Sequence, residues 1–214
     1  MMTNRRAVLA VTALVLVGGR LRAAPELASG LSPDDEALVK RATDYLDRLG
    51  TASGAFVQTA ADGRQSTGEF WLQRPGRARF DYAPPSGLEI AADGHVVTVV
   101  DERLKTIHSY PLGATPLSLF LARNVALDRG ARVEAVAHTA DGFSIRVRGG
   151  RGAARGSITL AFRADPLALA GWTVTDARRA SVRVQIIRLE RSAPKTADFF
   201  VLRAPTPEQG AAQQ

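Results

Sequence analysis

The sequence predicts an α+β fold built on an antiparallel sheet. Three observations carry that prediction. A single stretch near residue 40 has the apolar period of a helix, the period changes to two from Ala55 onward, and the short runs that follow are separated by Asp-Gly and proline-containing turns. Read in order, these give about ten strands and two helices.

The first helix starts at Ser32-Pro33-Asp34-Asp35-Glu36, a capping serine followed by proline and acids that suit the positive end of a helix. Leu38, Ala42, Tyr45, Leu46 and Leu49 then form one apolar stripe, and Gly50 and Gly54 end it. Strands are expected over residues 56–60 and 67–74, joined through Asp62-Gly63, then over 77–82 after Pro75-Gly76. After Pro84-Pro85 come 88–91, a turn at Asp93-Gly94, then 95–100 and 104–110. Thr115-Pro116 opens a short apolar helix through Leu117, Leu119, Phe120 and Leu121. The second half supplies strands over 133–138, 143–148, 157–163, 169–175, 181–189 and 199–202.

Several strands alternate cleanly. Phe143, Ile145 and Val147 oppose Ser144, Arg146 and Arg148, and Ile158, Leu160 and Phe162 oppose Ser157, Thr159, Ala161 and Arg163. Such a sheet has one wet face and one apolar face. Two short helices do not cover the apolar face of so many curved strands. Either the sheet closes around a filled core, or it lines a cavity for an apolar ligand.

Composition narrows the function classes. The chain has 214 residues, 45% of them apolar, which suits one domain. It has no cysteine, so disulfides, thiolate metal sites, cysteine nucleophiles and attachment of lipid to its own cysteine are excluded. The net charge is +7, but Arg5, Arg6, Arg20 and Arg22 account for four of those charges without an acid among residues 1–24. The remainder is spread along the chain and does not point to nucleic acid. Arg5-Arg6, the apolar run Ala7–Val17 and the small residues near Ala23-Ala24 read as an export signal, the run being shorter than the roughly 20 residues that span a bilayer. The expected organisation is a signal peptide over 1–24, one exported domain over 25–204 and a flexible tail over 205–214.

Few residues suggest chemistry. His95, His108 and His138 fall on separate strands, and neither a Gly-x-Ser-x-Gly elbow nor a His-Glu-x-x-His pair is present. The glycine-rich segment Gly149–Gly156 lacks the Lys-Ser/Thr ending of a phosphate loop and reads as a hairpin connection. No catalytic residue, metal site or cofactor is nominated. Arg74 is the informative residue. In Gly68-Glu69-Phe70-Trp71-Leu72-Gln73-Arg74 the period of two puts it on the side of Phe70 and Leu72. Either its donors meet backbone carbonyls of a covering helix, or it bends into solvent before Pro75.

These residues resemble a known family. Gly54-Ala55-Phe56-Val57-Gln58, then Gly68–Arg77 and Phe80-Asp81-Tyr82, are similar to the LolA family of periplasmic outer-membrane lipoprotein carriers. Ile90-Ala91-Ala92-Asp93-Gly94, Asp101 with Leu104, Thr115-Pro116, Leu121-Ala122-Arg123-Asn124 and Phe199-Phe200-Val201-Leu202 continue the match in order, over roughly residues 34–205. The resemblance implies an unclosed half β-barrel lidded by short helices over a cavity for acyl chains. It implies that Arg74 bonds the lid when the cavity is empty and releases it on loading. Lipid-binding and lid positions are then Phe70, Leu72, Phe80, Tyr82, Leu117, Phe120 and Leu121.

The implied partners are acylated lipoproteins, an inner-membrane LolCDE-type ABC transporter and an outer-membrane LolB-type receptor, with no nucleic acid and a monomeric carrier. The chain departs from the family where a large aromatic often stands two residues before Phe80; that position is Ala78. A carrier of another lipid, glycolipid or phospholipid, keeps the same fold, and an exported hydrolase is the reading from a different class.

Overall fold

A computed structural model describes residues 30–115, 117–121, 132–149, 156–176 and 178–203. The expected signal peptide, the tail and most of the glycine-rich segment lie outside the described residues.

Helix α1 (Pro33–Leu49) begins as the sequence dictates. The Ser32 side chain accepts the Asp35 N–H at 3.1 Å, and Asp34, Asp35 and Glu36 occupy the first turn. Its stripe buries Ala42, Leu46 and Leu49, and it stops at Gly50, whose φ of +57° favours glycine. Gly54 does not belong to this stop: it lies within the first strand.

Eleven strands follow: β1 (Thr51–Thr59), β2 (Gln65–Gln73), β3 (Arg77–Tyr82), β4 (Leu88–Asp93), β5 (Val96–Asp101) and β6 (Thr106–Pro111) before α2 (Leu117–Leu121), then β7 (Arg132–Thr139), β8 (Gly142–Gly149), β9 (Gly156–Ala164), β10 (Leu167–Thr175) and β11 (Ser181–Arg191). They form one antiparallel sheet in the order β6-β5-β4-β3-β2-β1-β11-β10-β9-β8-β7. The sheet does not close; β6 and β7 are its edges. The first and last strands pair at its centre, so the two halves of the chain are joined by β1–β11. This is the α+β, unclosed antiparallel architecture that the resemblance implied.

Two further expectations need correction. Residues 199–202 are not a strand, because Ala197–Phe200 form a 3-10 turn on the outer face of the sheet. Side-chain anchoring replaces ladder pairing there. Phe200 is buried, and the Phe199 ring meets Trp71 edge-on at 5.2 Å, with the Arg79 guanidinium 5.0 Å from its centroid. Leu104 is not in β6 but in the preceding turn, where the Asp101 carboxylate accepts the N–H groups of Arg103 and Leu104, each at 2.9 Å.

The inner face is read directly from the register. Ala52, Leu72, Ala78, Ala92 and Val97 lie side by side across β1 to β5, and Gly54, Phe70, Phe80, Ile90 and Val99 form the next row. Gly54 faces Phe70, and Phe56 faces Gly68. Each ring therefore lies over the glycine opposite it, and a Cβ on Gly68 would stand 2.8 Å from the Phe56 ring.

Candidate functional site: a latched apolar interior

The interior is organised around aromatic rings. Phe70 meets Phe80 at 6.2 Å and Trp172 at 6.5 Å between centroids, and Phe56 meets Phe80 edge-on at 5.9 Å. Phe120 of α2 stacks on Trp172 at 5.4 Å. Most of the space the sheet curves around is thus filled, as a closed core would be.

A chamber of about 190 Å³ remains. Phe80, Tyr82 and Leu117 line it, three of the positions the sequence nominated. Trp172, Ile90, Val174, Val182 and Val184 supply most of the rest, with Thr115 and Gln58. Phe70, Leu72, Phe120 and Leu121 are buried but do not reach the chamber; they pack the core beside it. Both sequence alternatives for the apolar face therefore hold in part: a packed core with a small apolar hollow at one end. For scale, a dry cavity of about 150 Å³ accepts one benzene ring. By volume the hollow has room for a short length of alkyl chain but not for a long one.

Arg74 sits at the opposite end of the inner face, just beyond β2. Its side chain is only 4% exposed. Nη1 donates to the Leu46 carbonyl of α1, and Nη2 lies 3.4 Å from the Asp47 carboxylate. The Leu46 carbonyl belongs to the last turn of α1, where intrahelical donors run out and the dipole is negative. A guanidinium is a suitable cap for such an end. Burial pulls the Arg74 pKa down from its ordinary value, and Asp47 opposes that shift. The backbone continues the link, since Arg74 N–H donates to Gly50 O at 3.0 Å.

The same turn holds the second helix. Gly76 N–H donates to Leu121 O, the last residue of α2, at 2.8 Å. One tight turn between β2 and β3 thus contacts both helices, α1 through Arg74 and α2 through Gly76. At the far end of α1, His138 Nε2 lies 2.9 Å from the Asp35 carboxylate, and that contact holds the Asp35 pKa below its usual value.

Residues that sequence reasoning missed have identifiable signals. Gln58 follows Phe56 by two, so alternation already placed an amide on the apolar face. Asp47 and Leu46 were legible only as helix residues. His95, His108 and His138 do not converge, and no cluster of three metal-ligating side chains occurs among the described residues. No described helix is long and apolar enough to cross a membrane.

The family model and the sequence relatives name the same family. Residues 47–203 match the family model described as outer membrane lipoprotein carrier protein LolA. An outer-membrane lipoprotein carrier protein from Leptothrix cholodnii is 32% identical over 181 residues, covering 76% of this chain and 79% of that protein. One from Alkalilimnicola ehrlichii is 40% identical over 68 residues, 29% of this chain and 32% of that protein. Among solved structures, a LolA superfamily protein from Nitrosomonas europaea aligns with a TM-score of 0.42 at 11% identity, over 76% of this chain and 97% of that one.

Proposed function

Since the chain belongs to the LolA family of outer membrane lipoprotein carrier proteins, we propose that it shields the acyl chains of lipoproteins released from the inner membrane and delivers them to the outer membrane. In this reading residues 1–24 direct export to the periplasm, a LolCDE-type transporter loads the carrier, and a LolB-type receptor unloads it. The protein binds and transfers its cargo rather than acting on it chemically.

One observation carries the reading: a buried arginine that ties the sheet to the end of a covering helix, beside an interior that is apolar. Leaving a bilayer for water costs an acyl chain about 0.8 kcal/mol per methylene, roughly 12 kcal/mol for 16 carbons. A carrier has to replace most of that burial and still let the load go. A hollow of about 190 Å³ does not bury such a chain. Loading therefore displaces α2 or α1 from the core, and the bonds of Arg74 and Gly76 to the two helices oppose that displacement. The empty protein stays closed without sealing itself permanently.

The test is Arg74→Leu in a transfer assay. The variant is expected to fold and load lipoprotein but to hand it over slowly; unchanged delivery removes Arg74 from the mechanism. Native mass spectrometry of the protein from its own periplasm identifies the cargo. Co-purified acylated polypeptides support the lipoprotein reading, and free glycolipid or phospholipid alone replaces it with carriage of that lipid.

A further inference from the structure

Register sets one row of inner-face residues across the middle of the sheet: Ser66, Gln58, Val184, Trp172, Leu160 and Ile145, contributed by β2, β1, β11, β10, β9 and β8. Four of the six are apolar. Ser66 and Gln58 break the row at one end. The Tyr82 hydroxyl donates to Gln58 Oε1 at 2.6 Å, and both side chains are half-buried.

Two hollows share Gln58 in their walls. On one side is the apolar chamber, which Gln58 and Tyr82 both line. On the other is a hollow of about 500 Å³, lined by Gln58 again and by Ser66, Thr67, Arg64, Asp101 and Arg103. The second hollow is about half polar, with Ala60, Ala83, Pro84, Pro85 and Leu88 in its wall beside the polar groups, and it is mixed in sign. Arg64 lies 2.6 Å from the Asp62 carboxylate, and Asp101 is held by backbone N–H groups of its own turn. It offers hydrogen bonds without strong selection for charge.

We propose that Gln58 and Tyr82 are the point at which this protein recognises the carbonyl that joins an acyl chain to its polar head. The chain lies in the apolar chamber and the head in the larger, more polar hollow between the β1–β2, β3–β4 and β5–β6 connections. The inference rests on the lipid-carrier reading above and adds to it an orientation and a chemical preference.

The argument is one of matching polarity along a line. An acyl chain is apolar up to its ester or amide carbonyl, which is an obligatory acceptor. Leaving that acceptor dry and unpartnered costs about 1–3 kcal/mol. The Tyr82 hydroxyl and the Gln58 amide are donors placed where the lining changes from apolar to polar. In the empty protein the Tyr82 hydroxyl donates to Gln58 Oε1; on loading, that hydroxyl turns to the carbonyl, and the Gln58 amide N–H is the second donor within the lining. A leucine at 58 and a phenylalanine at 82 would carry no donor for the carbonyl.

Two ligands that differ only at the carbonyl test this: 1-monopalmitoylglycerol, an ester, and 1-O-hexadecylglycerol, the ether of the same length. Each displaces a fluorescent apolar probe from the purified protein. The ester is expected to bind roughly fivefold more tightly than the ether, a preference the size of one net hydrogen bond. Tyr82→Phe and Gln58→Leu are each expected to remove that preference, so that ester and ether bind alike to the variant whatever its overall affinity. Equal binding of ester and ether to the unaltered protein overturns the carbonyl assignment and leaves the carrier reading standing. Failure of both to displace the probe overturns the carrier reading with it. The comparison in the unaltered protein does not depend on either variant folding.

Discussion

Phe120 of α2 lies against Trp172 of β10 with ring centroids 5.4 Å apart and planes 25° from parallel. Trp172 also meets Phe70 and Phe80 edge-on, so a single stacked contact couples the short helix to the central aromatic cluster. Phe120 is fully buried although its helix has only five residues. Five residues are too few to be stable alone, so this helix exists because its face is buried. Phe120→Ala is expected to cost about 3–5 kcal/mol in urea unfolding and to raise uptake of an apolar dye by opening the chamber beside Leu117. A loss below about 1 kcal/mol means that Trp172 does not hold α2 in place.

Much of this arrangement was legible in the sequence, and the gaps have physical causes. Ser32, the three acids and Gly50 marked α1 because capping is a local matter. The Asp-Gly turns marked hairpins for the same reason. Which strands join the two halves of the sheet is not local. Nothing in the period of two says that β1 pairs with β11 while β6 and β7 stay apart. Alternation put Arg74 on the inner side and left its direction open, since the bond to Leu46 depends on where α1 lies. Trp172 escaped notice because the β10 ladder shifts register between Leu169 and Gly171, so its buried residues do not keep a spacing of two. Phe199 and Phe200 read as strand residues, yet a 3-10 turn lets both rings pack on the same side of the chain's path.

Tyr82 gives stability a dependence on alkaline pH. Burial lifts its pKa from 10.0 to about 12, against the opposing hydrogen bond with Gln58. A proton is thus held more tightly in the folded state than in the unfolded one. The contribution is complete below pH 10, falls as the unfolded chain ionises above it, and is gone once pH passes the folded value. Two pH units correspond to about 2 kcal/mol after allowance for partial exposure. Thermal unfolding at pH 9 and pH 11.5 is expected to show a drop that is smaller in Tyr82→Phe. Equal drops in the two proteins place the alkaline sensitivity elsewhere.

Gly68 is required by close approach rather than by its own dihedral angles. A Cβ there would lie 2.3 Å from Asp81 O on β3 and 2.8 Å from the Phe56 ring. Both neighbours are fixed, the carbonyl by the ladder and the ring by burial, so the sheet itself has to shift. Gly68→Ala is expected to destabilise by about 2 kcal/mol or more. Gly113, with nothing within 4 Å of its Cβ position, is the control and is expected to tolerate alanine within about 0.5 kcal/mol. Similar losses at the two positions contradict the packing argument.

The chamber is best probed at its wall rather than in the aromatic cluster. Phe80 is 6% exposed and touches Phe56, Phe70 and Trp172, so an acid there disrupts folding before it reports on binding. Val182 is half-buried on β11, faces Val174 across the ladder and lines the chamber. An aspartate at 182 keeps its charge by leaning toward water in the empty protein, at modest cost to the fold. An alkyl chain entering the chamber strips that water away, and an ionised carboxylate without a partner resists it. Val182→Asp is therefore expected to weaken binding of a fluorescent alkyl probe by at least about tenfold, the equivalent of 1.4 kcal/mol, with a small change in melting temperature. Gln185→Asp, exposed on the same strand and facing away, is expected to bind as the unaltered protein does. If Val182→Asp binds normally, or if Gln185→Asp loses as much, alkyl chains do not enter by this wall, and the hollow is a packing defect of the core.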